Sequence, residues 1–416
     1  NSIKCRINQE ILLNITQADK ITISATAWVY NYMKDNENRP INRVLDQIGI
    51  PDLVSRLNDL PLKDLQTLLL DVFSENAQKI TPTDVMARYN ERYKYLGGGE
   101  LDQRELLRFD TLFYSVVPNI FRGVEFSPTG PFGTNATLTK LSQDIVPSTI
   151  RNSEVVSDPT VMLALEAARE RKPLLHEDPN STEKVRVCTS SRVLRLQPFD
   201  PKFGYMQHFN VFATLTSGHN DNFNNFLTDS AIEHLSIYLD FIEKLNADIY
   251  SIKDVTVYLS NIKIMEHIIS VSNADEATIR RNTQTVGFKP FEKYGVELPS
   301  IIKSEQNIDT SLLKKYEIER SWKFLSKTND TVVKPLKEKY STTNFGFDLA
   351  RHAGIGYYPN FCFHIYGTNE NGLTLQLADG GLTDWTKLLL NNDRELCMTS
   401  GFGSELINKM FRKKIK

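Results

Sequence analysis

Residues 191–218, SRVLRLQPFDPKFGYMQHFNVFATLTSG, decide the fold. Two apolar segments rich in Val, Leu, Phe and Thr flank a Pro/Asp/Lys/Gly loop, which is the pattern of two strands and a turn. Arg192 opens the first segment; Gln207 and His208 open the second. Successive strand side chains point to opposite faces. Such a hairpin can offer polar groups to a ligand on one face and pack the other on a core.

Further strand-like segments follow. DVTVYL (254–259) alternates, NFGFDLARHAGIGYYPNFCFHIY (344–366) predicts strand, turn and strand, and LTLQLADGG (373–381) predicts another strand. Upstream, VEFS (124–127) and SEVVSDPT (153–160) are short strand candidates. Helices fall between them. The segment 101–117 carries an apolar stripe of Leu106, Leu107, Phe109, Leu112, Phe113 and Val116. A helix is expected over 159–171, with Asp158 as N-cap and proline in the first turn. Others are expected over 229–245 and in the terminal SELINKMFRKK, after Gly401-Phe402-Gly403. Strands joined largely by hairpins, with helices between, give an α+β fold on an antiparallel sheet. Neither a GxGxxG nor a Walker loop is present.

Residues 1–98 predict a helical accessory domain. Its helices are an apolar stretch at 21–33, INRVLDQIG after Pro40, DLVSRLNDL after Pro51, the Leu-rich stripe at 62–76 and a helix after the Thr81-Pro82 start signal. Gly97-Gly98-Gly99 breaks the chain. Residues 99–416 form the second domain, with a charged insertion at about 270–340 that includes SLLKKYEIERSWKFL.

The 416 residues are 40% hydrophobic and 24% charged, with a net charge of -2, so no long-range pull towards nucleic acid or an acidic membrane is expected. The basic end, Arg412, Lys413, Lys414 and Lys416, has the pattern of a solvated tail. Cys5, Cys188, Cys362 and Cys397 have neither CxxC nor metal-site spacing and predict reduced residues of a cytoplasmic protein. No run suits a membrane span, and the start has no signal-peptide pattern. The seven histidines form no metal-binding pair, so no metal site is expected.

Four stretches in order, SDPT (157–160), the hairpin, DVTVYLSNI (254–262) and the series from GYYPNFCFHI to LADGGLTDW and GFGSELI, resemble the catalytic domain of the class II histidyl-tRNA synthetases. The same domain occurs in the regulatory subunit of ATP phosphoribosyltransferase. The resemblance covers roughly 105–411. It implies a class II synthetase-like antiparallel sheet flanked by helices, with an amino-acid and ATP site on one face. It also implies homodimerisation through the segment 101–128, and would place an anticodon-binding domain after the last helix, which this sequence is not expected to contain.

The family's ammonium-binding acid-x-Thr element matches Asp158 and Thr160. A carboxylate and a hydroxyl suit an ammonium, whose three donors need acceptors. Gln207 matches the family's hairpin glutamine, Arg192 its motif 2 arginine, Tyr357 and Tyr358 its paired tyrosines, and Gly380-Gly381 the start of its GGRYD element. Departures stand beside these matches. The adenine-reading glutamate falls on Leu194, the imidazole-reading glutamate on Val211, and three arginines fall on Ala353, Leu382 and Leu406. Arg351 and His352, next to Ala353, become the catalytic candidates together with Arg192. Loss of preorganised cations costs about 10²–10³ in rate per donor, and leucine cannot mimic a guanidinium.

The expected function is that of a diverged paralogue holding an amino acid or related small ligand in a regulatory or accessory role, with a protein partner docked on the N-terminal helices. The alternative is an ATP-dependent aminoacyl ligase or transferase in which Arg351, His352 or Lys202 supplies the missing cations. ATP with magnesium is the cofactor only under that alternative.

Overall fold

The computed structural model describes residues 40–90, 95–196, 206–219, 223–283 and 287–413. The helix expected at 21–33, Cys5, the hairpin tip with Lys202, and Lys414 and Lys416 lie outside the described residues. The chain divides into two compact units, Asn1–Ile80 and Thr81–Lys416.

The first unit contains the helices Pro40–Ile48, Leu53–Asn58 and Leu62–Gln78. Gly49, at a φ of 74°, ends the first in the left-handed conformation that glycine adopts without strain. None of the three buries a residue fully. Leu62, Leu68, Val72 and Phe73 of the longest helix stay exposed.

The second unit is built on a nine-stranded sheet. Its strands are β1 (Arg122–Gly123), β4 (Val185–Leu194), β5 (His208–His219), β6 (Lys253–Asn261), β7 (Ile301–Lys303), β8 (Asn344–Asp348), β9 (Phe361–Thr368), β10 (Thr374–Thr383) and β11 (Glu395–Phe402). The spatial order is β1-β4-β5-β11-β10-β9-β6-β8-β7, while β2 (Thr129–Pro131) and β3 (Ser153–Val155) pair separately. The hairpin forms as expected, with Val185 opposite Ser217 and Leu194 opposite His208. Only β1–β4 and β6–β8 are parallel among the pairings of the large sheet. The strand expected at 124–127 lies earlier: pairing with β4 covers Arg122 and Gly123, and Val124 adds one bond to Cys188. The helix expected over 159–171 runs through Pro173 to Glu177.

Each face of the sheet carries its own core. On one face, Phe212 stacks on Phe113 at 3.9 Å between centroids, and Phe109 and Phe241 close around it. The helices Gln103–Tyr114, Phe223–Asn246 and Ser404–Met410 lie on this side. On the other face, Val187, Ala213, Leu215 and Cys397 pack under Val161, Leu163 and Ala164 of the Pro159–Glu177 helix, with Trp385 beside them. Residues 270–340 belong to the larger core: Ile279, Phe291, Trp322, Leu325 and Leu336 are buried in it, and β7 of the same segment edges the sheet. The stretch SLLKKYEIERSWKFL forms two helices, Thr310–Lys315 and Glu319–Thr328, separated at Glu317, which has a φ of 55°.

Two buried polar contacts fix helices to strands. Arg171, on the Pro159–Glu177 helix, donates to Glu395 at the start of β11 through Nε at 3.0 Å and through its NH2 group at 2.6 Å. Neither side chain has any exposure. The guanidinium also donates to the carbonyls of Glu183 and Ser181. On the opposite face, His234 meets Ser400 at 2.7 Å and Thr216 at 3.1 Å. Tyr238 and Thr214 each lie 2.8 Å from the same Ser400 hydroxyl. Burial pushes the His234 imidazole down to about 3, so it is neutral. Three cysteines, Cys188, Cys362 and Cys397, are buried, and no helix among the described residues is long and apolar enough to cross a membrane.

A buried charge left without its partner is far costlier than the intact pair is stabilising. Arg171→Met alone or Glu395→Gln alone should lower unfolding free energy by about 3–5 kcal/mol. Arg171→Met combined with Glu395→Leu should recover much of that loss. Chemical denaturation of the three variants checks the pattern; additive single losses in the double variant would contradict it.

Candidate ligand site

The site is assembled where the start of one helix meets a loop almost two hundred residues later. Asp158 adopts the extended backbone of an N-cap. Its Oδ1 accepts from the Thr160 amide at 3.0 Å and from the Thr160 hydroxyl at 2.6 Å. Capping is therefore real, as sequence spacing predicts. The carboxylate does more than cap, because the Tyr357 hydroxyl donates to its Oδ2 at 3.1 Å and lies 3.0 Å from the Thr160 hydroxyl. Burial, then the Asp158 charge, push the Tyr357 phenol well above its usual range, so it stays protonated. The ring is wedged edge-to-face against Trp385 at 5.0 Å and Tyr358 at 4.7 Å. Trp385 is itself fixed by a 2.7 Å bond from its ring nitrogen to the carbonyl of Leu138.

Tyr358 points to a second carboxylate. Its hydroxyl donates to Asp379 Oδ1 at 2.7 Å. The NH2 group of Arg351 donates to both Asp379 oxygens, at 2.9 and 3.1 Å, and His364 Nε2 lies 2.9 Å from Oδ2. The Arg351 guanidinium also lies over the Tyr358 ring. Strand register explains the assembly: Asp379 of β10 is opposite His364 of β9, which is opposite Tyr258 of β6. Burial alone would raise the Asp379 carboxyl. Arg351 and then His364 outweigh it and hold this group well below the usual carboxylate range. Burial, then the Arg351 charge, push His364 down; its Nε2 faces Asp379 and its Nδ1 lies 3.4 Å from the Tyr366 hydroxyl.

The loop between β8 and β9 carries Arg351, Tyr357 and Tyr358. It turns at Gly354 and Gly356, with φ of 98° and 84°. A side chain at Gly354 would also sit 2.6 Å from the Tyr358 ring. Glycines at 380 and 381 answer to packing instead: a Cβ there would lie 2.4 Å from Phe363 and 2.6 Å from the Phe361 carbonyl. Close packing thus requires glycine at both positions. Gly401 differs, since a Cβ there would meet nothing closer than 3.4 Å.

Other sequence candidates fall elsewhere. Arg192 shares a strand face with Ser190, whose hydroxyl bonds to Asp110 of the Gln103–Tyr114 helix. Arg192 therefore points to the face opposite the Pro159–Glu177 helix. There it donates to Glu405 at 3.0 Å and to His208 Nδ1 at 2.8 Å. Gln207 donates to the Leu196 carbonyl and ties the hairpin rather than reaching Asp158. His352 contacts the Ala350 carbonyl and the Phe288 ring. Leu382 is buried in the larger core, and Leu406 packs against it. Thus Asp158, Thr160, Tyr357 and Tyr358 are brought together, Arg351 joins them through Asp379, and Arg192, Gln207 and His352 do not.

Three groups were missed from sequence: Asp379, His364 as its partner, and Arg195. Asp379 stands next to the Gly380-Gly381 pair, and strand alternation alone would have put it on the open face. Arg195 lies three residues beyond Arg192, which reverses its face. Its Nε donates to the Ser157 carbonyl at 2.8 Å, beside Asp158, and its guanidinium lies over the Phe209 ring.

The chain has the class II synthetase-like fold of the histidyl-tRNA synthetase type. A structure described as an ATP phosphoribosyltransferase regulatory subunit/histidyl-tRNA synthetase from Bacillus halodurans superposes with a TM-score of 0.53 at 13% identity, over 76% of this chain and 82% of that one. A histidine–tRNA ligase subunit from Alicyclobacillus acidocaldarius gives 0.55 at 13% identity, over 75% and 94%. No family model matches the sequence, and no curated protein matches it.

Asp348, at the start of the same loop, tests the electrostatics of this region. Burial pushes its carboxyl up to about 6. A raised carboxyl pKa means that ionisation works against folding, so stability falls as pH rises from the usual carboxylate value through about 6. Asp348→Asn keeps an acceptor for the Ala350 amide. It should stabilise the protein at pH 8 by up to about 3 kcal/mol, and by almost nothing near pH 4. Melting curves of both proteins across that range check it; a pH-independent difference would contradict it.

Proposed function

We propose that this chain is a synthetase-fold protein that binds an amino acid or a related small amine-bearing ligand in a regulatory or accessory role. The observation that carries the reading is the Asp158–Thr160–Tyr357 cluster. The Tyr357 phenol, from a sequence-distant segment, comes within 3.0 Å of the Thr160 hydroxyl and 3.1 Å of the Asp158 carboxylate. An ammonium needs acceptors such as this carboxylate and the Thr160 hydroxyl on a partly desolvated surface. Amino-acid activation needs more, namely cations aimed at developing phosphate charge. Two of the expected cations are already engaged: Arg192 by Glu405 on the other face, and Arg351 by Asp379.

One observation favours the second reading, an ATP-dependent ligase or aminoacyl transferase. Arg195 occupies the ligand face next to Ser157 and could meet a phosphate there. Under that reading ATP and magnesium would be bound; under the first they are not required.

Thermal-shift measurement with the twenty L-amino acids, and separately with ATP and magnesium, separates the two. At least one amino acid should raise the melting temperature by mass action, and Asp158→Asn should abolish that rise. A rise that survives the substitution would place the ligand elsewhere. Stabilisation by ATP together with pyrophosphate exchange would replace the first reading with the second.

Homodimerisation is proposed through the segment 101–128, which contains the Gln103–Tyr114 helix. Leu106, Phe109 and Phe113 serve the chain's own core, whereas Leu107 is 58% exposed and Ile120 is 60% exposed. Exposed large apolar groups on this helix and the turn after it suit an isologous contact. A partner protein is proposed on the exposed apolar residues of the first unit. Light scattering at micromolar concentration should give twice the chain mass, and Leu107→Glu with Ile120→Glu should give the monomer. A monomeric parent protein would remove the dimer proposal.

A further inference from the structure

A phenol with a single proton, donated to Asp158, already stands at the acceptors offered to an ammonium. Asp158 Oδ2 and the Thr160 hydroxyl both face the Tyr357 hydroxyl, at 3.1 and 3.0 Å. A ligand ammonium must either share these groups with the phenol or displace it. Asp158 Oδ1 is taken by Thr160 itself, so a ligand ammonium meets the phenol at the carboxylate oxygen that is left, Oδ2.

The loop that carries Tyr357 is built to hold it there. Gly354 and Gly356, both at positive φ, bracket the turn that precedes the tyrosines. The amides of Tyr357 and Tyr358 both bond to the Gly354 carbonyl, so the pair moves as one piece. Outside the turn, side-chain bonds to Asp379 and Arg280 help fasten the loop. Arg351 and Tyr358 both donate to Asp379. Arg280, from the Glu276–Arg281 helix, donates to the Ile355 carbonyl at 2.8 Å. Asp379 accepts from Arg351 and Tyr358 together and faces His364 Nε2, so loss of its charge would weaken several fastenings at once.

We infer that the loop 350–358 is a latch on the ligand site: its Tyr357 hydroxyl stands in for the ligand's ammonium in the empty protein, and Asp379 is the positioning residue that holds the latch closed. The identity of the site rests on the proposed amino-acid reading; the latch itself does not. Ligand entry then exchanges one hydrogen-bond donor on Asp158 and Thr160 for another. Such an exchange makes the latch a competitor, since any free energy spent in opening it is subtracted from binding.

The test uses the full chain and three variants, Tyr357→Phe, Asp379→Asn and Asp158→Asn. In the absence of added ligand, hydrogen exchange of the amides of 351–358 should speed up at least about tenfold in Tyr357→Phe and Asp379→Asn, the factor for loss of one or two ordinary hydrogen bonds. Exchange in the Pro159–Glu177 helix should stay unchanged. With the L-amino acid that gives the largest thermal shift as probe, Tyr357→Phe should bind about tenfold more tightly, whereas Asp158→Asn should not bind. Unchanged loop exchange in both latch variants overturns the latch. Weaker binding by Tyr357→Phe also overturns it and makes the phenol part of the ligand's own contacts. If no amino acid shifts the parent protein, the functional reading fails, and the exchange data alone decide the latch.

Discussion

The ion pair between Arg171 and Glu395 is the constraint on which the site's geometry depends. It joins the middle of the Pro159–Glu177 helix to the first residue of β11, with both charges removed from water. Pairs of this kind add little net stability, but they tolerate no slippage, because half a pair is an unpaired buried charge. The helix that is so held begins at Asp158. A shift of one residue along its axis would carry the cap about 1.5 Å away from Tyr357, which is enough to break a hydrogen bond of 3.1 Å. The same helix buries Val161, Leu163 and Ala164 on Val187, Ala213 and Leu215. Apolar packing therefore supplies the attraction and the ion pair supplies the register.

The sheet separates two chemistries by strand period alone. Residues of one parity in β4 and β5 face the aromatic cluster around Phe212, and residues of the other parity face the Pro159–Glu177 helix. Arg192 and Arg195 are three positions apart and end on opposite sides. The first is spent on Glu405, where it helps hold the Ser404–Met410 helix, and Asn210 adds a backbone bond to the same carboxylate. The second stays beside Asp158. A site audited by motif spacing is thus sensitive to one residue of alignment, because a shift of one residue moves a side chain to the other face.

Much of the fold was legible because it rests on local patterns. The hairpin, the apolar stripe of Leu106, Phe109 and Phe113, the cap at Asp158 and the alternation of β10 all follow from spacing and side-chain type. The order of motifs then pointed to the class II sheet. Asp158, Thr160 and Tyr357 could be nominated as a set, although nothing local says that residues 199 apart share a hydrogen bond. Asp379 with Arg351 and His364 was not legible as a cluster. Its members lie on three segments, and their meeting depends on β9–β10 register and on the turn at Gly354. Gln207 was not legible for a different reason: the residue type suits a ligand contact, but its amide donates to the nearby Leu196 carbonyl.

The hydroxyl-rich contact around His234 has a consequence for how the protein finds its shape. The Phe223–Asn246 helix has several apolar faces that could lie against the sheet, and hydrophobic attraction does not choose finely among them. Slid by one turn, about 5.4 Å, it would still bury leucines and phenylalanines. His234 and Tyr238 would then lose Ser400, Thr214 and Thr216, with no water to replace them. The misplaced helix would carry several unsatisfied polar groups at once, each costing about 1–3 kcal/mol. A patch that contributes little to holding the structure together thereby works as a proofreading contact, rejecting the near-miss arrangements that grease alone would accept.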